Sequence, residues 1–246
     1  INASNGRDAA LSEIRQRSGK WFDPHLVDTF VAVAEDNTFW TTLNSLEVES
    51  RVFAMEPGDQ ETALDEDYLD EIAEAFGKVV DAKSPYTAGH SARVGLYTAL
   101  LAESLGLPEP RRRWLKRGAL LHDVGKLGVS NTILDKPGKL DDAEWVAVRR
   151  HASYTQTILG RIHIFEELAS VSSAHHERLD GKGYPLGLQA ADIALETRII
   201  TTADIFDAIT AVRPYRGAIP VDKTLAIMAE TVGTAIDARC FEHLKM

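Results

Sequence analysis

The sequence predicts an all-α protein, and two observations support that prediction. Apolar residues recur at steps of three and four along most of the chain, which is the spacing of one face of a helix. Leu69, Ala73, Phe76 and Val80 are a clear example. No stretch shows the sustained alternation of apolar and polar residues, bounded by turns, that a β-hairpin needs. We therefore expect a core built from packed helices.

The predicted helices follow one another from residue 69 to the C-terminus. Asp141 or Asp142 is expected to cap the helix that contains Trp145, and Gly233 is expected to stop the last long helix. The stretch 199–209 is apolar on nearly every side, which places it in the core. In chain order, the periodic stretches are residues 69–80, 94–101, 114–121, 145–148, 165–171, 199–209 and 225–232.

Two stretches interrupt the helical pattern. Residues 55–67 are acidic and contain a proline and a glycine, so we expect a linker there. Residues 180–185 hold a proline together with Gly181 and Gly183, which predicts a loop, because both glycines permit positive φ. The predicted organisation is an N-terminal helical segment at residues 1–55, a linker at 56–66 and the main domain at 67–246.

The two ends of the chain contain a weak internal repeat. Residues 10–30 align on residues 224–244 at a constant offset, with identities at Leu11/Leu225, Gly19/Gly233 and Asp23/Asp237. Each copy predicts a helix, a glycine stop, an aspartate N-cap and a second helix. One interpretation is that residues 1 to about 45 are the tail of an upstream domain of the same fold, followed by a helix over 39–53. The alternative is a chance similarity between two helical segments.

Composition argues against several classes of protein. Asp and Glu outnumber Lys and Arg by 37 to 27, and the net charge of −10 disfavours binding to duplex nucleic acid or to an anionic membrane. No apolar run approaches the roughly 20 residues of a membrane span, and the single Cys240 cannot form an intrachain disulfide. We expect a cytoplasmic location. A start at Ile1 without a signal peptide indicates a fragment, and its orphaned apolar N-terminal helices favour a homodimer.

Five histidines and two aspartates form the inventory of a metal site. Asp204 lies within the apolar stretch 199–209, where an unpaired carboxylate would be strongly destabilising. Nitrogen and carboxylate ligands together suit Fe, Mn, Zn, Co or Ni better than Ca or Mg alone. The set exceeds one octahedral shell, so two metals bridged by a carboxylate are the economical arrangement. The candidate ligands are His90, His122, Asp123, His151, His175, His176 and Asp204.

Three motifs carry a resemblance to a known family. They are H-D-V-G-K at 122–126, H-H-E-R-L-D-G-K-G-Y-P at 175–185 and A-D-I-F-D-A-I-T-A-V-R-P-Y-R at 203–216. In this combination the chain resembles the HD-GYP subfamily of HD-domain phosphohydrolases, from about residue 67 to residue 244. The resemblance implies a helical HD-domain bundle and a centre of two or three metals. It also implies hydrolysis of the bacterial second messenger cyclic di-GMP to pGpG or GMP, through a hydroxide that bridges the metals.

The resemblance also assigns roles to individual residues. All the candidate ligands match metal-ligand positions, with Asp123 as the bridging carboxylate. The implied cofactors are two divalent transition metals, Fe or Mn before Zn, Co or Ni. Asp123 and Lys126 are the implied catalytic residues, because Lys126 would reach the scissile phosphate. Asp207 is expected to orient a ligand histidine or to contact substrate. The implied substrate contacts are Lys126, Gly183, Tyr184, Pro185, Asp207, Arg213 and Arg216.

Three positions depart from the family pattern. Tyr86 replaces a glutamate that supplies a third-metal ligand in some members, so we expect a binuclear centre. Leu179 replaces a frequent tryptophan, and Gly217 replaces a lysine that follows R-P-Y-R in many members, which removes one phosphate contact. The missing lysine leaves open another substrate, such as cyclic GMP-AMP or pGpG. A second alternative is a weakly active cyclic di-GMP receptor that binds a protein partner through residues 183–185.

Overall fold

The computed structural model describes residues 2–55, 64–84, 88–212 and 217–246, with side chains from residue 5 onward. Across these ranges the chain is all-α, as predicted, and the β-type pairings there are isolated bridges. The chain divides into two compact units, Ile1–Ala63 and Leu64–Met246. The predictions for Tyr86, Arg213 and Arg216 concern positions that lie outside the described residues.

The first unit has a small core around Trp40. The indole N–H of Trp40 donates to the Ala34 carbonyl at 2.7 Å, and Phe39 packs edge-on against the Trp40 ring. The predicted helix over 39–53 is wrong, because two helices occupy that stretch. Asn44 donates its side-chain amide to the Trp40 carbonyl, which satisfies one of the last carbonyls of the first of them and ends it. The helices are α1 Asn2–Gln16, α2 Pro24–Val33, α3 Asn37–Leu43 and α4 Val48–Phe53.

The second unit contains the remaining helices. Helix α5 begins within the predicted linker, because the Asp65 side chain accepts a hydrogen bond from the Tyr68 N–H at 2.8 Å and caps the helix there. Asp141, rather than Asp142, caps α9 in a capping box with Glu144. The helices are α5 Glu66–Ala82, α6 His90–Ser104, α7 Glu109–Leu121, α8 Asn131–Leu134, α9 Asp142–Leu159, α10 Glu166–Ser173, α11 Leu195–Thr210, α12 Val221–Ala229 and α13 Ala238–Leu244.

Helix α7 runs through the centre of the second unit. Leu115 packs with residues of α6 and α11 on one side, and Leu121 packs with residues of α5 and α10 on the other. Phe76, Val79 and Leu100 were expected on buried faces, yet their side chains are 41%, 55% and 54% exposed. The apolar stripes of α5 and α6 are therefore wider than the faces that the described neighbours cover.

The two copies of the terminal repeat have the same local structure. Gly19 and Gly233 have φ values of 71° and 83°, and each donates its N–H to the carbonyl three residues later, Phe22 or Ile236, at 2.9 and 2.8 Å. Asp23 caps α2 as Asp237 caps α13, each accepting two backbone N–H groups. Helix α12 ends at Ala229, so Gly233 belongs to the turn after the helix and does not stop it directly.

Within the described residues, no helix combines the length and the apolarity that crossing a bilayer requires.

Candidate metal centre

The helices of the second unit bring all the predicted ligands together. Most of them stand at helix ends, where the backbone delivers a side chain into the core without interrupting a helix. His122, His151 and His175 are almost completely buried, whereas the Asp204 side chain is 13% exposed. His90 begins α6, His122 and Asp123 follow α7, His151 lies in α9, His175 and His176 follow α10, and Asp204 lies in α11.

Backbone carbonyls fix the tautomers of three of these histidines. The Nδ1 atoms of His122, His151 and His175 each lie 2.6 Å from the carbonyl oxygen three residues earlier, at Ala119, Val148 and Ser172. A carbonyl oxygen only accepts, so Nδ1 carries the proton and Nε2 keeps a free lone pair. This arrangement turns the unprotonated nitrogen of each ring toward the centre of the cluster, as metal-ligating histidines require.

The carboxylate of Asp123 lies between two groups of histidines. Its Oδ2 atom is 3.4 Å from His122 Nε2 and 3.7 Å from His90 Nε2. Its Oδ1 atom is 3.5 Å from His151 Nε2 and 3.8 Å from His175 Nε2. Two atoms that bind one cation at about 2.1 Å are themselves roughly 3 to 4 Å apart. Each oxygen of Asp123 is therefore placed to share a cation with a different group of histidines.

Unsatisfied polar atoms indicate that the cluster fits metal ions. The Nε2 atoms of His122, His151 and His175 and the Oδ1 atom of Asp123 are buried without a hydrogen-bond partner. Buried polar atoms are almost always satisfied, so a group of convergent lone pairs needs a ligand to accept them. Three groups of ligand atoms each lie within 4.8 Å: His90 with His122 and Asp204, His151 with His175 and His176, and a third, His122 with Asp123 and His175, that shares one histidine with each of the others. This donor set suits two divalent transition metals.

The protonation states of most candidate ligands also suit a metal. Burial lowers the pKa of His176 to about 4, and burial beside His176 lowers the pKa of His175 well below its ordinary value. Burial opposes ionisation of Asp123, but the positive charge of Lys126 and the surrounding imidazoles outweigh it and hold its pKa well below the usual range. At neutral pH these imidazoles are neutral and this carboxylate is charged, which is what metal binding needs.

His90 differs from the other histidines of the cluster. Burial alone would lower its pKa, but hydrogen bonds with Asp204 and Asp207 outweigh burial and raise the pKa to about 9. Its Nε2 atom is 3.3 Å from Asp204 Oδ1. A cation bound at this position would therefore take the place of a proton, because only the neutral imidazole is a ligand.

Asp207 lies behind His90 and does not line an opening. It accepts from His90 Nδ1 at 2.7 Å and from Arg93 Nε at 2.6 Å, and its side chain is 1% exposed. The predicted substrate contact of Asp207 is thus wrong for this structure, because both carboxylate oxygens are engaged away from solvent. The alternative role, orienting a ligand histidine, agrees with the geometry. The role of Arg93 was not predicted from the sequence. Arg93 follows His90 by three residues, however, and residues with that spacing lie on the same face of a helix.

Lys126 forms an ion pair with the Asp123 carboxylate, and its side chain is 22% exposed. Lys126 and Asp123 are joined by a short 3₁₀ turn, Val124–Gly128, which directs the ammonium group back toward the cluster. The lysine therefore lies beside the candidate ligands, and its contact with the scissile phosphate stays a prediction. Its charge also supports the ionised form of Asp123.

The loop that contains Gly183, Tyr184 and Pro185 places its tyrosine against His176 and His151. The Tyr184 ring lies 4.7 Å from the His176 ring, at an angle of 34°. Gly181 has the expected positive φ of 74°, but the requirement at Gly183 is different. A Cβ atom there would lie 2.4 Å from the Arg178 backbone nitrogen, so a close approach of two chain segments demands glycine.

Buried Glu177 holds this loop in place, a role that the sequence analysis missed. Its Oε1 atom accepts backbone N–H groups of Leu186 and Gly187 at 2.6 and 3.2 Å, and Oε2 accepts that of Leu188 at 2.8 Å. A carboxylate that accepts several backbone donors makes strong, charge-assisted hydrogen bonds. The signal in the sequence was a glutamate directly after the histidine pair and shortly before the loop.

The sequence of this chain is similar to those of known proteins. A model of the HD domain family matches residues 74–240. A "3'3'-cGAMP-specific phosphodiesterase 3" of Vibrio cholerae is 56% identical over 238 residues, which are 97% of this chain and 52% of that protein. A cyclic di-GMP phosphodiesterase response regulator of Xanthomonas campestris is 36% identical over 176 residues, 71% of this chain and 47% of that protein.

One solved structure is also similar to this chain. The crystal structure of a cyclic GMP-AMP specific phosphodiesterase of Vibrio cholerae matches with a TM-score of 0.58 and 51% identity, covering 99% of this chain and 56% of that one. The chain thus spans about half the length of the relatives that it matches.

Proposed function

The chain belongs to the HD domain family, and we propose that it is a metal-dependent phosphodiesterase that hydrolyses a cyclic dinucleotide, with cyclic GMP-AMP as the preferred substrate. The observation that carries the proposal is the set of buried, unpartnered Nε2 atoms that converge on the carboxylate of Asp123. Lone pairs of this kind are matched to cations. Phosphodiester hydrolysis is a reaction that paired cations serve well.

The residues of the site would have separate roles in the proposed reaction. His90, His122 and Asp204 would hold one metal, His151, His175 and His176 the other, and Asp123 both. Two bound cations supply activation of water and stabilisation of negative charge on the phosphate. Lys126, at the edge of the cluster, adds a positive charge beside the scissile phosphate and can donate a proton toward the leaving oxygen. Tyr184 packs against His176 and His151, one histidine from each of two segments that would hold the second metal.

The choice of cyclic GMP-AMP rests on the relatives and on one residue. The relative named for 3'3'-cGAMP is 56% identical to this chain, whereas the cyclic di-GMP phosphodiesterase is 36% identical. Gly217 stands directly after R-P-Y-R, where many members of the HD-GYP subfamily carry a lysine, so one phosphate contact is absent. These observations favour cyclic GMP-AMP, which the sequence left open as an alternative. They disfavour cyclic di-GMP, which the resemblance to the HD-GYP subfamily implied.

A substrate panel tests the proposal. Protein loaded with Fe(II) or Mn(II) is incubated with cyclic GMP-AMP, cyclic di-GMP or pGpG, and products are separated by chromatography while metal is counted in the same preparation. We expect the highest kcat/KM for cyclic GMP-AMP. Faster turnover of cyclic di-GMP would reverse the substrate assignment. Tight binding without turnover, by protein that holds two metals, would favour a receptor.

Further parts of the proposal concern the assembled protein. We propose Fe or Mn as the resident metals in a binuclear centre, a cytoplasmic location and a homodimer. A protein partner that docks on residues 183–185 belongs to the receptor alternative. Metal analysis of protein purified without added metal tests the identity and number of the metals. Light scattering tests the homodimer.

A further inference from the structure

An unpaired guanidinium group stands beside the tyrosine of the loop. The Cζ atom of Arg149 lies 5.3 Å from the centre of the Tyr184 ring and 6.0 Å from that of Trp145. Arg149 is exposed, and it forms no ion pair or hydrogen bond with the residues that the structure describes. Stacking on aromatic rings restrains an arginine while leaving its N–H donors free. Arg149 is therefore a positively charged side chain that is restrained in position and has free hydrogen-bond donors.

The position of Tyr184 does not depend on Arg149. The Tyr184 N–H donates to the His176 carbonyl at 3.2 Å, and the three backbone hydrogen bonds to Glu177 fix the residues that follow. On its other side the Tyr184 ring lies against His176, a candidate metal ligand. Tyr184 thus links the metal cluster to Arg149. Removing the arginine side chain should leave the loop and the cluster in place.

We propose that Arg149, stacked on Tyr184, binds the second, non-scissile phosphate of the substrate; this inference rests on the proposed function. A cyclic dinucleotide carries two phosphodiesters in one ring. When one of them is at the metal cluster, the other must lie away from it, toward the rim. A guanidinium binds phosphate oxygens with two parallel N–H donors, and a stacked side chain loses little freedom on binding.

The surrounding charges support this assignment. The protein carries a net charge of −10, so an anionic ligand is attracted only where local cations outweigh the acidic residues. Lys126, at the edge of the cluster, is already paired with Asp123. Arg149 offers an uncompensated charge beside Tyr184.

The test compares two substrates in matched variants. Cyclic GMP-AMP has the second phosphate, whereas bis(p-nitrophenyl) phosphate has only the scissile one. For Arg149→Ala we expect KM for cyclic GMP-AMP to rise on the order of ten- to a hundredfold, with KM for the small substrate and metal content unchanged. Arg149→Lys should recover part of the loss. Arg150→Ala, which removes an exposed neighbour without a contact to Tyr184, should behave like the unmodified protein.

Several results would overturn the inference. An unchanged KM for cyclic GMP-AMP in Arg149→Ala, or equal losses for both substrates, would remove Arg149 from phosphate binding. A loss that differs between cyclic GMP-AMP, cyclic di-GMP and cyclic di-AMP would indicate that Arg149 reads a base edge. A parent protein that hydrolyses the small substrate but neither turns over nor binds any cyclic dinucleotide would refute the proposed function and, with it, the ligand named for Arg149.

Discussion

The Oδ2 atom of Asp207 accepts a hydrogen bond from Nδ1 of His90 at 2.7 Å. This contact joins helices α11 and α6 and fixes the proton of His90 on the nitrogen that faces away from the cluster. The other ring nitrogen then points toward Asp204 and Asp123. Arg93 completes the arrangement, because its guanidinium holds both oxygens of Asp207.

The first prediction follows from this contact. Asp207→Ala should lower metal affinity by roughly 10- to 100-fold, because the partner that orients a ligand histidine contributes that much in known sites. Asp207→Asn keeps an acceptor and should lose less. Metal retained after dialysis against graded chelator gives the affinity. Asp222→Ala, at an exposed aspartate of α12, is the control. Full affinity in Asp207→Ala would show that His90 needs no such support.

The second prediction concerns the bridging role of Asp123. Asp123→Asn should lose both metals, because a single carbonyl oxygen cannot serve two cations and the compensating charge is gone. Asp204→Asn should lose metal mainly from the group of His90 and His122. Elemental analysis of the folded variants measures both effects. Two metal equivalents per chain in Asp123→Asn would contradict the bridging assignment.

The third prediction concerns metal removal. A ligand that binds only the folded state stabilises it by about 2.7 kcal/mol when present at a hundredfold excess over its Kd. Chelation should therefore lower the Tm of the second unit by several degrees, and added metal should restore it. Differential scanning calorimetry measures the shift. The Asp123→Asn variant should show little change on chelation, and an equal shift in that variant would assign the effect to another site.

The fourth prediction concerns Glu177. In Glu177→Gln an amide donor would face a backbone N–H, which leaves at least one buried donor unsatisfied at a cost of about 1–3 kcal/mol. We expect looser packing of the loop and a lower kcat/KM, with metal content retained. Glu167→Gln, an exposed position in α10, is the matched control. Wild-type turnover in Glu177→Gln would mean that the loop needs no clamp.

The fifth prediction concerns the N-terminal unit, which we propose is the end of a preceding domain of the same fold. Leu26 is 66% exposed, whereas its counterpart in the second copy, Cys240, is fully buried. Leu26→Ser should change the free energy of unfolding by at most about 0.5 kcal/mol in this chain. In a longer chain that carries such a domain ahead of residue 1, it should cost about 2 kcal/mol or more.

Urea unfolding of both chains tests this proposal. Cys240→Ser, at the buried counterpart, should be destabilising in either chain and serves as the reference. A neutral effect of Leu26→Ser in the extended chain would end the interpretation of residues 1–55 as the tail of a similar domain, and the matching turns at Gly19 and Gly233 would then be a local coincidence.

The sequence by itself determined the features that depend on neighbours along the chain. Helical periodicity predicted the helices, and aspartates placed at their starts predicted the caps at Asp23, Asp141 and Asp237. The candidate ligands were also identified in this way, because residue type and motif spacing carry the chemistry. Even the matching turns of the two repeat copies depend on a few consecutive residues.

Only the tertiary structure decided the features that depend on residues far apart. Asp207 and His90 are 117 positions apart, so no local pattern shows that one orients the other and is thereby kept from substrate. The same holds for Arg149, which meets Tyr184 through the packing of α9 against the loop. Exposure of Phe76 and Leu100 likewise depends on which helices cover them. Periodicity predicts an apolar face, whereas three-dimensional packing determines how much of that face is buried.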